Sequence, residues 1–171
     1  MNYNLEYLLE FLNQQADLID SIYKKFTTPR KSSQRLILEN GLPFLTMSKP
    51  NPFKGKPKSC YQNCTSALLK YPELSYCEEF AISKEVSIII AHAWLIDNNS
   101  QVIDPTWNED FTDCTYFGVV FANEFVREVA LKTKCYGISD NHRVDRYQIF
   151  QNGFPKGALH PKFHSNRMSL R

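Results

Sequence analysis

Apolar positions in the first part of the chain recur every three or four residues. Leu5, Leu8, Leu9, Leu12, Ala16, Ile19, Ile22, Tyr23 and Phe26 would line one side of a helix running from about Asn4 to Phe26. Glu6, Glu10, Gln14 and Lys24 occupy the opposite side, and Thr27-Thr28-Pro29 ends the helix. A shorter helix is expected from Ser32 or Ser33 to Glu39, closed by Asn40-Gly41. Between Ser48 and Lys58 the periodicity disappears. Three Pro, one Gly and four Lys mark that stretch as a basic loop. Ser59 then stands as N-cap of a helix whose first residue is Cys60. Cys64, Ala67, Leu68 and Tyr71 form its inward face, and Pro72 closes it.

Past Pro72 the pattern turns to strands. Leu74 to Ile82 reads as one, and Val86 to Ile96, rich in Val, Ile and Trp, is the strongest in the chain. Val102 to Asp104 would pair back with it across the polar turn Asp97-Asn98-Asn99-Ser100. Tyr116 to Phe121 is a further strand, with Gly118 at a bulge. Asn123 to Lys132 has helical spacing, and Asp140 to Phe150 is expected to form a last short helix, or else a strand at Tyr147 to Phe150. Beyond Gly153 the chain is rich in Pro, Gly and basic residues, and is expected to be loosely ordered or to drape over the surface. The predicted fold class is α+β, with N-terminal helices packed on a small antiparallel sheet. One domain covers 1–152, divided into a helical lead-in with the basic loop (1–58) and a core (59–152); 153–171 is a basic tail.

Composition changes this picture little. A chain of 171 residues can bury one sizeable core, and a net charge of +2 does not imply nucleic acid. The charge is uneven, with six Lys or Arg against one Asp from Arg143 onward. The N-terminus lacks the cationic start and cleavage site of a signal peptide, and no apolar run is long enough to span a membrane. Five cysteines, an odd number, argue against a pure disulfide framework. A reducing cytoplasmic setting with free thiols is expected.

Cys60 is the first candidate for chemistry. A thiolate is the reactive form of cysteine, and a helix N-terminus stabilises anions through its free N–H groups. Lys56 and Lys58 add positive charge in the sequence nearby. Cys64, one turn further in, lacks those N–H groups. His92 and Asp104 would supply a base and its orienting carboxylate if both point to one face of the hairpin. Loop parity decides this. A three-residue loop, Asp97-Asn98-Asn99, sets His92 directly opposite Asp104. A two-residue Asn98-Asn99 turn would pair Asp104 with Ala93 and send its side chain to the other face. We expect the odd loop.

The order Cys60, then His92-Ala93-Trp94, then Asp104-Pro105-Thr106 resembles the transglutaminase-like core of the papain-like cysteine hydrolase superfamily. The resemblance covers about Cys60 to Phe121. It implies a papain-like fold with the nucleophile at a helix N-terminus, and a thiol hydrolase or acyltransferase of peptidase, deamidase or transglutaminase type. Cys60 would be the nucleophile, His92 the general base and Asp104 the orienting carboxylate. A protein, a peptide or a small amide would be the substrate.

Two other classes compete with the enzyme. One is a non-catalytic binding protein that keeps the fold and buries these residues as packing. The other is a nucleic-acid-binding module built on the basic loop and tail, although nucleic acid is not the expected partner. Cys60-x3-Cys64 could form half of a zinc site with His92 or Cys77, but no second close pair completes a standard spacing. His160 and His164 flank a proline in what reads as a non-helical segment, so they are not a preformed ligand pair. Walker, Rossmann, GxSxG and HExxH patterns are absent, and no cofactor or metal is expected.

Overall fold

The computed structural model describes residues 3–45, 53–84, 88–107, 113–139 and 148–164. Two helices lead, α1 (Tyr3–Tyr23) and α2 (Ser33–Asn40). Strand β1 (Leu42–Leu45) and helix α3 (Cys60–Ala67) follow. Then come β2 (Ser75–Ile82), β3 (Ile90–Ile96), β4 (Val102–Ile103) and β5 (Thr115–Phe121). Helices α4 (Asn123–Thr133), α5 (Gln148–Asn152) and α6 (Pro161–His164) come last among the described residues. The fold is mixed helix and sheet. The five strands among the described residues form one curled antiparallel sheet in the order β1-β5-β2-β3-β4.

Alternation along the strands separates two cores. Tyr76, Ala93, Leu95, Phe117, Val119 and Phe121 face the helices and meet Leu8, Leu12, Ile37, Cys64, Leu68 and Val126. Cys77, Trp94, Ile96, Val102, Tyr116 and Val120 face the other way, with Phe44. The apolar stripe read in the first helix is real, since Leu8, Leu12 and Ala16 are fully buried. The α1–α2 corner is fixed by Asp20, whose carboxylate accepts from Ser32 N–H (2.7 Å) and Arg35 Nε (3.0 Å). Burial pushes the Asp20 carboxyl up, but the bonds from Ser32 and Arg35 outweigh it and hold it below its ordinary value.

Several local expectations need correction. β1 has no counterpart in the sequence reading. It pairs with β5, Leu42 opposite Gly118. The strong strand begins at Ile90 rather than Val86; positions 85–87 lie outside the described residues, and Ile88 is exposed. Gly41 closes α2 with φ −75°, not the left-handed turn a terminal glycine suggests. It is there for space, since a Cβ would stand 2.7 Å from the Ile37 carbonyl oxygen. Gly118 is no bulge either. The β5–β2 register runs unbroken through it, Gly118 opposite Glu79, and a Cβ would lie 2.0 Å from the Glu78 carbonyl oxygen and 2.8 Å from the Trp94 ring.

The tail departs most from expectation. Where β1 ends at Leu42, the edge of β5 beyond Gly118 needs another partner for its backbone groups. Residues 158–164 supply it. Ala122 N–H donates to Ala158 O (2.9 Å), His160 N–H to Val120 O (2.8 Å), and Val120 N–H to His164 Nε2 (3.2 Å). Ala158 is fully buried. Pro161, taken as a helix breaker, instead opens α6, because the first helical position has no N–H to lose. Positions 140–147 and 165–171, including part of the expected last element and the tail's end, lie outside the described residues.

Candidate active site

The β3–β4 hairpin turns through three residues, as expected, but displaced by one position. Asp97 N–H donates to Gln101 O (3.1 Å) and Ser100 N–H to Asp97 O (3.0 Å), so the loop is Asn98-Asn99-Ser100. Ser100 takes the left-handed conformation (φ 62°), and the Asp97 carboxylate receives the N–H groups of Asn99 (2.8 Å) and Gln101 (2.9 Å). The displacement keeps the parity odd but slides the register by two. Leu95 now faces Ile103 and Ile96 faces Val102. Asp104 is therefore diagonal to His92 instead of directly opposite, on the same face of the sheet. The diagonal suits it, for His92 Nε2 lies 2.6 Å from Asp104 Oδ2.

Asp104 is saturated with donors. Its Oδ1 accepts the N–H groups of Thr106 (2.8 Å) and Trp107 (3.0 Å), a tight turn that Pro105 helps to form. Its Oδ2 receives the Tyr116 hydroxyl (2.9 Å) besides His92. Trp107 stacks on the imidazole, with ring centroids 4.6 Å apart and planes 23° apart. His92 and Asp104 are 2% and 5% exposed, so water competes little for their bond. In register, Glu79 on β2 is the strand partner of His92.

Helix α3 brings the thiol. Asn63 ties it to the turn after β4: its amide donates to Thr106 Oγ1 (2.9 Å) and to Lys56 O (2.7 Å), while its oxygen accepts from Lys56 N–H (3.0 Å). Gly55 N–H donates to Pro105 O (2.6 Å), and Phe53 stacks on Tyr71 at 4.7 Å. Residues 53–58 of the basic loop are thus pinned beside the turn that carries Asp104, while 48–52 lie outside the described residues. Cys60 is the first residue of α3 and is partly exposed, and its thiol lies near enough to the His92 imidazole to favour the protonated ring. With Nε2 given to Asp104, Nδ1 is the nitrogen left for the sulfur. Ser59 does not cap the helix with its side chain; its hydroxyl points back to Pro57 O (3.4 Å).

Burial alone would push the His92 imidazolium down. The Asp104 charge and hydrogen bond, with the Cys60 thiol, outweigh it and raise His92 to about 9. Cys64 lies under the helix, fully buried, and burial followed by the charge of Asp104 lifts its thiol well above the ordinary value. The two cysteines therefore divide into an accessible thiol beside a base and an inert buried one.

The competing metal reading meets an obstacle in the sheet. Cys64 belongs to the helical core and Cys77 to the opposite one, so the two sulfurs do not converge. Among the described residues no group of three or more His, Cys, Asp or Glu could hold a metal ion. Nor, among them, is any helix long and apolar enough to cross a membrane. Sequence reasoning missed two members of the site. Tyr116 was read only as the start of a strand, and Asn63 was not assigned to the site. Tyr116 gave no signal, since its contact with Asp104 crosses two intervening strands. No family model matches the chain, and no curated protein or solved structure is significantly similar to it.

Proposed function

We propose that this protein is a cysteine-dependent acyl-transfer enzyme acting on an amide, with Cys60 as nucleophile, His92 as general acid and base, and Asp104 as the orienting carboxylate. The observation that carries the reading is one buried imidazole held by a carboxylate at 2.6 Å, with the thiol of a helix's first residue nearby. A packing histidine needs neither partner. The order of the three residues and their placement on a helix and an antiparallel hairpin also support a papain-like, transglutaminase-like core.

In this reading the Cys60 proton passes to His92, and the thiolate attacks the carbonyl carbon of the amide. The N–H groups at the start of α3 meet the oxyanion. His92 gives its proton to the leaving nitrogen as the C–N bond breaks, and a thioester remains. Water or an amine then attacks, His92 takes its proton, and the thiolate departs. Asp104 keeps Nε2 protonated throughout, so Nδ1 alone faces the sulfur and the reacting groups. Peptidase, deamidase and transamidase activities share these steps and differ in what binds and what resolves the thioester. Asn63 is committed to Lys56 and Thr106 and is not the second oxyanion donor.

Alkylation by iodoacetamide at pH 6, mapped by peptide mass, tests the reading. Cys135 is an exposed thiol and serves as internal reference. An ordinary thiol is less than about 1% ionised at that pH. Cys60 should react at least about tenfold faster than Cys135, and His92→Ala should remove the advantage. Equal labelling of the two in the wild type would sink the proposal.

A further inference from the structure

We infer that Tyr116 is a positioning residue for the thiol–imidazole pair. Its hydroxyl caps Asp104 Oδ2, fixes the carboxylate edge that faces His92, and limits how strongly that edge holds the imidazole proton. The inference rests on the acyl-transfer reading for its catalytic meaning, and on geometry for its content.

The geometry is specific. Tyr116 lies on β5, with β2 and β3 between it and β4, yet its hydroxyl reaches Asp104 at 2.9 Å across the concave side of the curled sheet. It is 1% exposed, and its ring packs against Trp94 (5.0 Å), Trp107 (6.0 Å) and His92 (6.1 Å). The hydroxyl is held as a donor: burial, then the charge of Asp104, pushes its ionisation well above the ordinary value. Oδ1 is occupied by two backbone N–H groups, so the carboxylate cannot rotate without leaving these partly buried donors unpaired. Oδ2 then divides between two donors. Every increment of negative charge that the phenol draws is withdrawn from the bond to His92 Nε2. A carboxylate without that second donor would grip the imidazolium more tightly and release its proton to a leaving amine less readily.

Groups facing His92 are Asp104 from the turn after β4, Cys60 from α3, Glu79 from β2 and Tyr116 from β5. Only the last is altered by the test. Tyr116→Phe deletes one oxygen and keeps the ring among Trp94, Trp107 and His92. Its companion replaces Tyr116 by 3-fluorotyrosine, a stronger donor of nearly the same shape. The readouts are the His92 imidazole titration by NMR and the high-pH limb of Cys60 alkylation.

The inference expects opposite shifts. Tyr116→Phe should move the His92 titration upward by about one pH unit, a tenfold change in proton affinity, and 3-fluorotyrosine should move it downward. A purely packing role would leave both within about 0.2 units of wild type, or move both in one direction, and either result overturns the inference. The imidazole titration needs no reactive thiol. An unreactive wild-type Cys60 with opposite shifts would defeat the acyl-transfer reading alone. A reactive Cys60 with unmoved titrations would defeat the role of Tyr116 alone.

Discussion

Replacing Asp104 by Asn removes a charge and keeps the shape, and the structure dictates how the amide must sit. Two partly buried backbone N–H groups, from Thr106 at 2.8 Å and Trp107 at 3.0 Å, point at Oδ1. If the amide NH2 took that place, both donors would be left facing donors, at about 1–3 kcal/mol each. Turning the amide oxygen toward His92 would regain the bonds of His92 and Tyr116, but a phenol hydroxyl and a neutral imidazole can each accept from the NH2, whereas backbone N–H groups can only donate. The oxygen therefore stays with the N–H groups and the NH2 faces His92. His92 Nε2 must then accept, and its proton moves to Nδ1, where it points at Cys60 instead of receiving the thiol proton. The carboxylate that raised the imidazolium to about 9 is lost as well, leaving burial to push it down. At pH 5.5 an unassisted thiol is only about 0.1% ionised. Alkylation of Cys60 at that pH should fall by about 100-fold in Asp104→Asn, with Cys135 unchanged. Adding His92→Ala to Asp104→Asn should cost nothing further. If the Asn variant, folded by circular dichroism, kept Cys60 within about threefold of the wild-type rate, the argument from tautomer and charge would be wrong.

Other predictions follow from the same contacts. Folded His92 titrates near 9 against an ordinary 6.5, so its contribution to stability is fully present below pH 6.5 and is lost as the pH rises through 9. The difference amounts to about 3 kcal/mol. The urea midpoint of the wild type should fall across that interval, and a flat or rising midpoint would contradict it. Gly118→Ala places a Cβ against the Glu78 carbonyl and the Trp94 ring, with a backbone atom that cannot yield. It should destabilise by at least about 3 kcal/mol in thermal melts, and a loss below about 1 kcal/mol would contradict the close packing of β5 on β2. His164→Ala leaves the buried Val120 N–H without its acceptor. It should cost about 1–3 kcal/mol by denaturant titration, whereas a loose tail would make it neutral.

Much of the architecture was legible because it rests on local pattern. The amphipathic stripe of α1, the start of α3 at Cys60 and the strands from Ser75, Ile90 and Thr115 follow from periodicity and stop signals within a few residues. What was not legible depends on partners distant in sequence. Leu42–Leu45 is a strand only because β5, more than seventy residues later, lends it an edge. Residues 158–164 are ordered because the same strand has edge left over. The hairpin was read with correct parity and a loop one residue early. Asp97 and Ser100 both suit turns, and only the three-dimensional bonds of the Asp97 carboxylate choose between them. For the site, residue types and order were enough to single out Cys60, His92 and Asp104. Tyr116 and Asn63 were hidden, as no spacing rule announces a hydroxyl that arrives across two intervening strands.

In the proposed reaction Cys60 forms an acyl bond with help from His92. Mixing the protein with p-nitrophenyl acetate at neutral pH and following release of p-nitrophenolate tests that step without knowledge of the natural substrate. A burst approaching one equivalent per chain is expected, with the acetyl group mapped to Cys60 and the burst abolished in Cys60→Ser and His92→Ala. Acetylation spread equally over Cys60 and Cys135, or a burst unchanged in His92→Ala, would contradict it.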